Sequence, residues 1–270
     1  MFIETIKMIE IFLSLGIILY ILNIFYKFIN KIYLLKNKLL SNNCIIIWNK
    51  PYRTFINNTI LLIFEYICNG LIFDMDYHDD IIKKIKNNNV NNIILDTIGG
   101  DVSSSDILID CILTSKLKLT IHVPRKAQSA GTLLAFSANT LYIDKNAYLG
   151  PTDPQISFEG TTYSIKSFME LCDNKDTNFI TDKYLLSYYE NKKLYDENIK
   201  LITKLLENKF KKNTNKLDRN NLIYDLTSGT KSHHMPFSGL YLSKYLNINL
   251  CLPNNIVNIF NLFEYITNFL

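Results

Sequence analysis

Glycine and proline are scarce in this 270-residue chain, nine and six respectively, and its five cysteines form no CxxC pair. Cys44, Cys68, Cys111, Cys172 and Cys251 are scattered singly. An odd, dispersed set argues against a disulfide framework and a zinc site, and fits a reducing compartment. No G-x-G-x-x-G is present, so nothing suggests a nicotinamide site, and no cofactor is expected. Only four histidines occur: His78, His122, His233 and His234. The adjacent pair would point in different directions from regular structure and make a poor chelate. His233 and His234 read as a structural turn before Pro236, with a catalytic or metal role as the alternative, and no metal is expected. The net charge is only +4, much of it in the early lysines Lys27, Lys31, Lys36 and Lys38. No later basic stripe is interleaved with aromatics, which excludes nucleic acid from the expected partners. No internal repeat is visible, and 48% hydrophobic with 20% charged residues suits a packed core.

What is present begins with an uncharged run, Ile11 to Tyr26, sixteen residues long. A bilayer usually takes roughly 20 apolar residues. Tilting, with Lys7 and Lys27 snorkelling at the ends, would stretch the run into a single-pass anchor. No A-x-A site follows it, which argues against a cleaved signal peptide. Lysines are denser after the run than before it, so the positive-inside rule puts the bulk of the protein in the cytoplasm. A buried or interfacial helix is the alternative. Residues 27–42 continue as a helical, Lys-rich connector, and Asn42-Asn43 marks a boundary between residues 1–42 and a domain over 43–270.

Beyond it, β-branched and aromatic runs read as strands at CIIIW (44–48) and TILLIFEYI (59–67). Helical spacing over Asp79–Ile85 precedes a short strand over Val90–Leu95. A Gly-Gly break leads to a helix over Ser104–Leu113, a strand over Lys118–Val123, a small-residue helix over Ala130–Ala138 and a strand over Thr140–Ile143. This alternation predicts a parallel α/β core. From Ser164 the chain reads as mostly helical, with a long helix from about Asp182 to Lys212 and a last one over Ile256–Phe269.

Three features in the α/β half can carry chemistry. Thr97-Ile98-Gly99-Gly100-Asp101-Val102 is a Gly-Gly turn between strand and helix, where bare N–H groups can approach a ligand. Ala127-Gln128-Ser129-Ala130-Gly131-Thr132 sets a serine among small residues at a strand-to-helix turn. That is the logic of a nucleophile elbow, although such a serine can equally be an N-cap. Leu149-Gly150-Pro151-Thr152-Asp153-Pro154-Gln155 is a stiff loop that would line or close a cleft, with no obvious catalytic group of its own.

In order and spacing, Ile93 to Ile156 resembles the serine dehydrogenase proteinase family, which is related to signal peptide peptidase A and more distantly to Clp protease. The family pattern is T-P-G-G, then A-x-S-A-G-T, then L-G-P-x-D-P-Q; this chain departs at Ile98, where proline is usual. Leu226-Thr227-Ser228-Gly229, His233-His234-Met235-Pro236 and Leu252-Pro253 resemble the family's C-terminal tail, so the likeness covers roughly residues 43–270. It implies a Clp-protease/crotonase-like ββα spiral fold with a helical C-terminal part. It also implies peptide-bond hydrolysis through an acyl-enzyme on Ser129. No histidine falls where a Clp-type catalytic histidine would lie, which favours a Ser–Lys dyad. By position, Lys166 in Tyr163-Ser164-Ile165-Lys166 is the candidate base, with Lys145 and Lys175 as competitors. The backbone N–H groups of Gly99, Gly100 and Ala130 would form the oxyanion hole. The expected partners are a peptide or protein substrate, the membrane, and further copies of the chain. A crotonase-type acyl-CoA enzyme and a catalytically silent membrane-bound scaffold are the competing readings.

Overall fold

The computed structural model describes residues 2–49, 68, 71–74, 78–87, 90–116, 118–158, 160–176, 180–229, 233 and 235–268. Its first element, α1 (Phe2–Ser41), is one continuous helix, about 60 Å long at ~1.5 Å per residue. The helix has two distinct environments. From Gly16 to Lys27 every residue is exposed, Ile17, Ile18, Leu22 and Phe25 among them. From Phe28 onward one face is buried, carrying Phe28, Ile32, Leu35 and Leu39 at the spacing of a single helical stripe. That stripe packs on the last helix, α9 (Asn254–Thr267), which runs antiparallel to α1. The Lys31 ammonium sits 3.3 Å above the Tyr265 ring at one end of the pair, and Asn255 Nδ2 donates to Asn42 Oδ1 at 2.7 Å at the other. The segment read as a connector therefore supplies part of the domain's own core. Gly16–Ser41 is long and apolar enough to cross a membrane. The helix ends at Asn43, whose φ of 47° is a left-handed conformation that asparagine tolerates better than most residues.

The main sheet contains β1 (Cys44–Trp48), β2 (Ile72–Phe73), β3 (Asn92–Asp96), β4 (Thr120–Val123) and, after the short β5 (Lys126–Ala127), β6 (Thr140–Ile143). All its pairings are parallel, in the order β2-β1-β3-β4-β6. Among the described residues, its strands are connected by α2 (His78–Asn87), α3 (Val102–Thr114) and α4 (Ala130–Ser137). α2 packs on α3 and α3 on α4. All five residues of β1 are buried, as a parallel sheet covered on both faces requires. Trp48 ends β1 edge-on to Phe263 of α9, ring centroids 5.1 Å apart, so the sheet and α9 share one apolar core.

A second, smaller sheet joins β5 to β7 (Tyr148–Leu149) and β7 to β10 (Phe237–Ser238). Between them lie the hairpin of β8 (Gln155–Phe158) and β9 (Thr161–Ser164), then α5 (Ile165–Asp173), α6 (Asp182–Glu207) and α7 (Lys216–Thr227). A one-turn α8 (Gly239–Leu242) follows β10. The α/β alternation and the helical C-terminal part agree with the sequence reading. The strand read over 59–67 lies outside the described residues. The β8–β9 hairpin carries no such signature: Thr161, Thr162 and Tyr163 are exposed, so the outer strand has no buried face to impose an apolar alternation.

Candidate active site

Ser129 stands at the junction between β5 and α4 with φ 52° and ψ −123°, a backbone conformation that side-chain-bearing residues seldom adopt. It occupies the N-cap position of α4, yet its side chain makes no capping bond. The capping alternative raised by the sequence is thus not realised. The strain is held by the surrounding backbone: Ser129 N–H donates to Pro151 O at 3.2 Å, and Ser129 O accepts from Thr132 N at 2.9 Å. The residue is half-buried, and its hydroxyl makes no hydrogen bond among the described residues.

The Gly-Gly turn comes directly against this serine. Thr97 pairs with the strand before it, Thr97 N–H donating to Lys126 O and Gln128 N–H to Thr97 O, both at 3.1 Å. Gly99 has φ 110°, and a methyl group there would stand 3.0 Å from Ser129 Cβ and 3.5 Å from Ser129 Oγ. Only glycine serves at this position, for both its angle and its closeness. Asn49, just past the end of β1, clamps the turn. Its Oδ1 accepts from Ile98 N at 2.7 Å and from the Thr97 hydroxyl, and its Nδ2 donates to Gly99 O at 3.2 Å. Nothing in the sequence marks Asn49, because one asparagine after a strand carries no signal in an asparagine-rich chain. Gly99 N–H is engaged by Thr97 Oγ1 at 3.0 Å. Of the three backbone donors expected around Ser129, Gly100 and Ala130 are the two whose N–H groups stay unengaged among the described residues.

The third motif closes the ring. Gly150 N–H donates to Ala127 O at 2.9 Å, and Thr132 Oγ1 lies 2.8 Å from Ala127 O and 2.9 Å from Gly150 O. Thr152 reaches the end of α7, placing its N–H 2.7 Å and its hydroxyl 3.1 Å from Leu226 O. Asp153 is only 2% exposed and pairs with His233, Oδ1 to Nδ1, at 2.8 Å. The sequence reading singles out no group in this loop. His234 lies outside the described residues.

Lys166 is placed differently. Its backbone N–H is capped by Ser164 Oγ at 3.2 Å at the start of α5, and its ammonium is 3.4 Å from Glu170 Oε1 on the same helix. No hydrogen bond links it to Ser129 among the described residues. Of its competitors, Lys145 lies in the turn after β6, and Lys175 faces a cavity of about 450 Å³ walled by Ile156, Tyr163, Phe168, Leu171 and Tyr184. Among the described residues, the lysine that burial pushes below its ordinary value is Lys209. Its ammonium caps Ala138 O at the far end of α4, about 12 Å along that eight-residue helix from Ser129. Its role is therefore structural. No group of three or more metal-ligating side chains occurs among the described residues.

The model of the ClpP-like SDH-type serine proteinases matches residues 7–268. Two uncharacterized proteins of Methanocaldococcus jannaschii are 28% and 25% identical over 172 and 173 residues, 63% and 64% of this chain. The chain spans little more than half of those relatives' lengths, 56% and 58%. Among solved structures, a mutant of the 1510-N membrane-bound stomatin-specific protease in complex with a substrate peptide is similar at a TM-score of 0.46 and 15% identity, over 80% of this chain and 78% of that one. ClpP1 from Listeria monocytogenes overlaps at 0.46 and 13%, over 81% and 95%. With the family model running through nearly the whole chain, this protein belongs to the ClpP-like SDH-type serine proteinases and has their ClpP-like fold.

Proposed function

We propose that the chain is a membrane-anchored serine endopeptidase with Ser129 as nucleophile and Lys166 as general base. The observation that carries this reading is the strained φ of 52° at Ser129, with Gly99 packed on its Cβ and an uncommitted hydroxyl. Strain of this kind at an otherwise well-packed junction points to function. Neutral Lys166 takes the proton from Ser129 Oγ as it attacks the peptide carbonyl. The oxyanion that forms is stabilised by the N–H groups of Gly100 and Ala130, with α4 adding its N-terminal dipole. Lys166 then protonates the departing amine, and water hydrolyses the acyl-enzyme with Lys166 again as base. For this cycle the Lys166–Glu170 ion pair must open and the ammonium must first release a proton to solvent. The apolar cavity beside α5 offers a place for an apolar substrate side chain.

The exposed apolar turns of α1 would lie in the bilayer, with the domain on the lysine-rich, cytoplasmic side and further copies of the chain assembling around it. A fluorophosphonate probe tests the chemistry. It should label the wild type, fail on Ser129→Ala and label Lys166→Ala much more slowly, although Lys166→Ala remains folded. The Lys166–Glu170 pairing favours one other reading, a silent scaffold that retains the fold. Wild type that stays unlabelled under all conditions would establish the scaffold and remove the peptidase.

A further inference from the structure

The loop between Gly150 and Gln155 touches both halves of the proposed dyad. Near its start, Pro151 O accepts Ser129 N–H at 3.2 Å; near its end, Pro154 O accepts Ile165 N–H at 3.0 Å, one residue before Lys166. Between those two carbonyls lies Asp153, and both of its carboxylate oxygens are used. Oδ1 faces His233 Nδ1 at 2.8 Å, and Oδ2 accepts from Gln155 Nε2 at 2.6 Å. A lone pair on Nδ1 would repel a carboxylate at that distance, so Nδ1 carries the hydrogen and donates it. Gln155 Nε2 lies only 3.2 Å from the same ring nitrogen, so the three side chains form one compact cluster. His233 comes from the turn after α7. Gly229, just past the end of α7, packs against the same place: a methyl there would collide with Ser164 Oγ, the cap of α5, and stand 3.1 Å from Asp153 Oδ2.

From this arrangement we infer that Asp153 and His233 are positioning residues, a clasp that holds the 150–155 loop so that Ser129 and the start of the Lys166 helix stay in register. The inference rests on the peptidase reading for its kinetic consequence, but its structural part does not. A buried carboxylate with two charge-assisted or short hydrogen bonds is a strong local constraint. Beside the bonds of Thr152 to Leu226 O, this link ties the C-terminal segment to a loop that carries two attachments, one at Ser129 and one at Ile165. Small misplacements of reacting groups lower the rate steeply while leaving binding largely intact.

His233 is 21% exposed on its side chain, so replacements there are compatible with folding. In His233→Ala, kcat on a peptide substrate should fall ~10- to 100-fold with KM changed less than about threefold. His233→Asn keeps an N–H donor near the position of Nδ1 and should recover most of that loss. Hydrogen exchange at the Ser129 and Ile165 amides, which needs no turnover, should quicken in His233→Ala and return towards wild type in His233→Asn. Unchanged exchange at both amides in folded His233→Ala would overturn the clasp. An Asn variant as inactive as the Ala variant, with exchange restored, would also overturn it and make His233 a proton-transferring group. If exchange responds as stated while the wild type neither labels nor turns over, the clasp holds and the peptidase reading falls.

Discussion

The two halves of the proposed site are built in contrasting ways. Around Ser129 almost every neighbour is buried: Thr97 is 1% exposed, Ala127 and Thr132 0%, and Ala130 3%. Side chains press on bare glycine backbone there, Ser129 on Gly99 and Thr97 on Gly131. Around Lys166, α5 buries only Ile165 and Met169, the strand leading into it is mostly exposed, and the ammonium is held by a solvent-facing carboxylate. The nucleophile side is preorganised by packing, while the base side depends on interactions that water can replace. Substitutions on the first side should therefore cost both fold and activity, and those on the second should affect activity alone.

The sharpest way to break that contrast is Gly131→Ala. The new Cβ would collide with Thr97 Cγ2. Thr97 cannot swing away without losing the hydroxyl contacts that tie it to Asn49 and Gly99. Overpacking of this kind costs about 1–3 kcal/mol. Displacing the Gly-Gly turn from Ser129 should lower kcat ~100-fold as well. Denaturant titration and probe labelling measured together check both effects. Wild-type stability and labelling in Gly131→Ala would mean that the nucleophile side is far softer than its packing implies.

A second effect, on stability alone, concerns the main sheet. His122 of β4 is 1% exposed, stacked on Tyr142 with centroids 5.1 Å apart, and its Nδ1 has no partner among the described residues. Burial pushes its pKa down to about 4. An unfolded imidazole titrates at about 6.5. Between those two values the unfolded chain holds a proton that the folded chain refuses, so acid favours unfolding. This contribution to stability is complete above pH ~6.5 and fades as pH falls to about 4, with about 3 kcal/mol at stake. Urea melts at about pH 7 and about pH 4.5 should show most of this loss in the wild type. His122→Phe, which cannot take up the proton, should lose correspondingly less; equal losses in the two proteins would assign the acid sensitivity elsewhere.

The same contrast governs what can be read from the sequence. Backbone-built features leave a mark: a Gly-Gly pair, a serine among alanines and glycine, and a stiff proline loop are residue choices that close approach imposes. The parallel core is legible for a related reason, since buried strands such as Cys44–Trp48 must be apolar throughout. The clasp is not legible. Asp153 and His233 are eighty positions apart, and neither type is unusual where it stands. Asn49 is hidden by the abundance of asparagine, and the buried stripe of α1 by the lysines between its members. Gly99 is readable as a glycine, but not the fact that its N–H is already given to Thr97 Oγ1.

The mildest test acts on the base side alone. Glu170 holds the Lys166 ammonium at 3.4 Å, with side chains 54% and 29% exposed respectively. Exposed i,i+4 pairs of this kind contribute about 0.3–0.5 kcal/mol, so Glu170→Gln should leave the melting temperature within about 2 °C of wild type. If the pair must open in each turnover, releasing it should raise kcat about twofold, the factor that follows from the same energy. The gain should shrink as salt is added, because screening already weakens the pair in the wild type. A drop in kcat would instead give Glu170 a positive part in holding Lys166 for proton transfer. In that case the base side would be preorganised too, by charge where the nucleophile side uses packing.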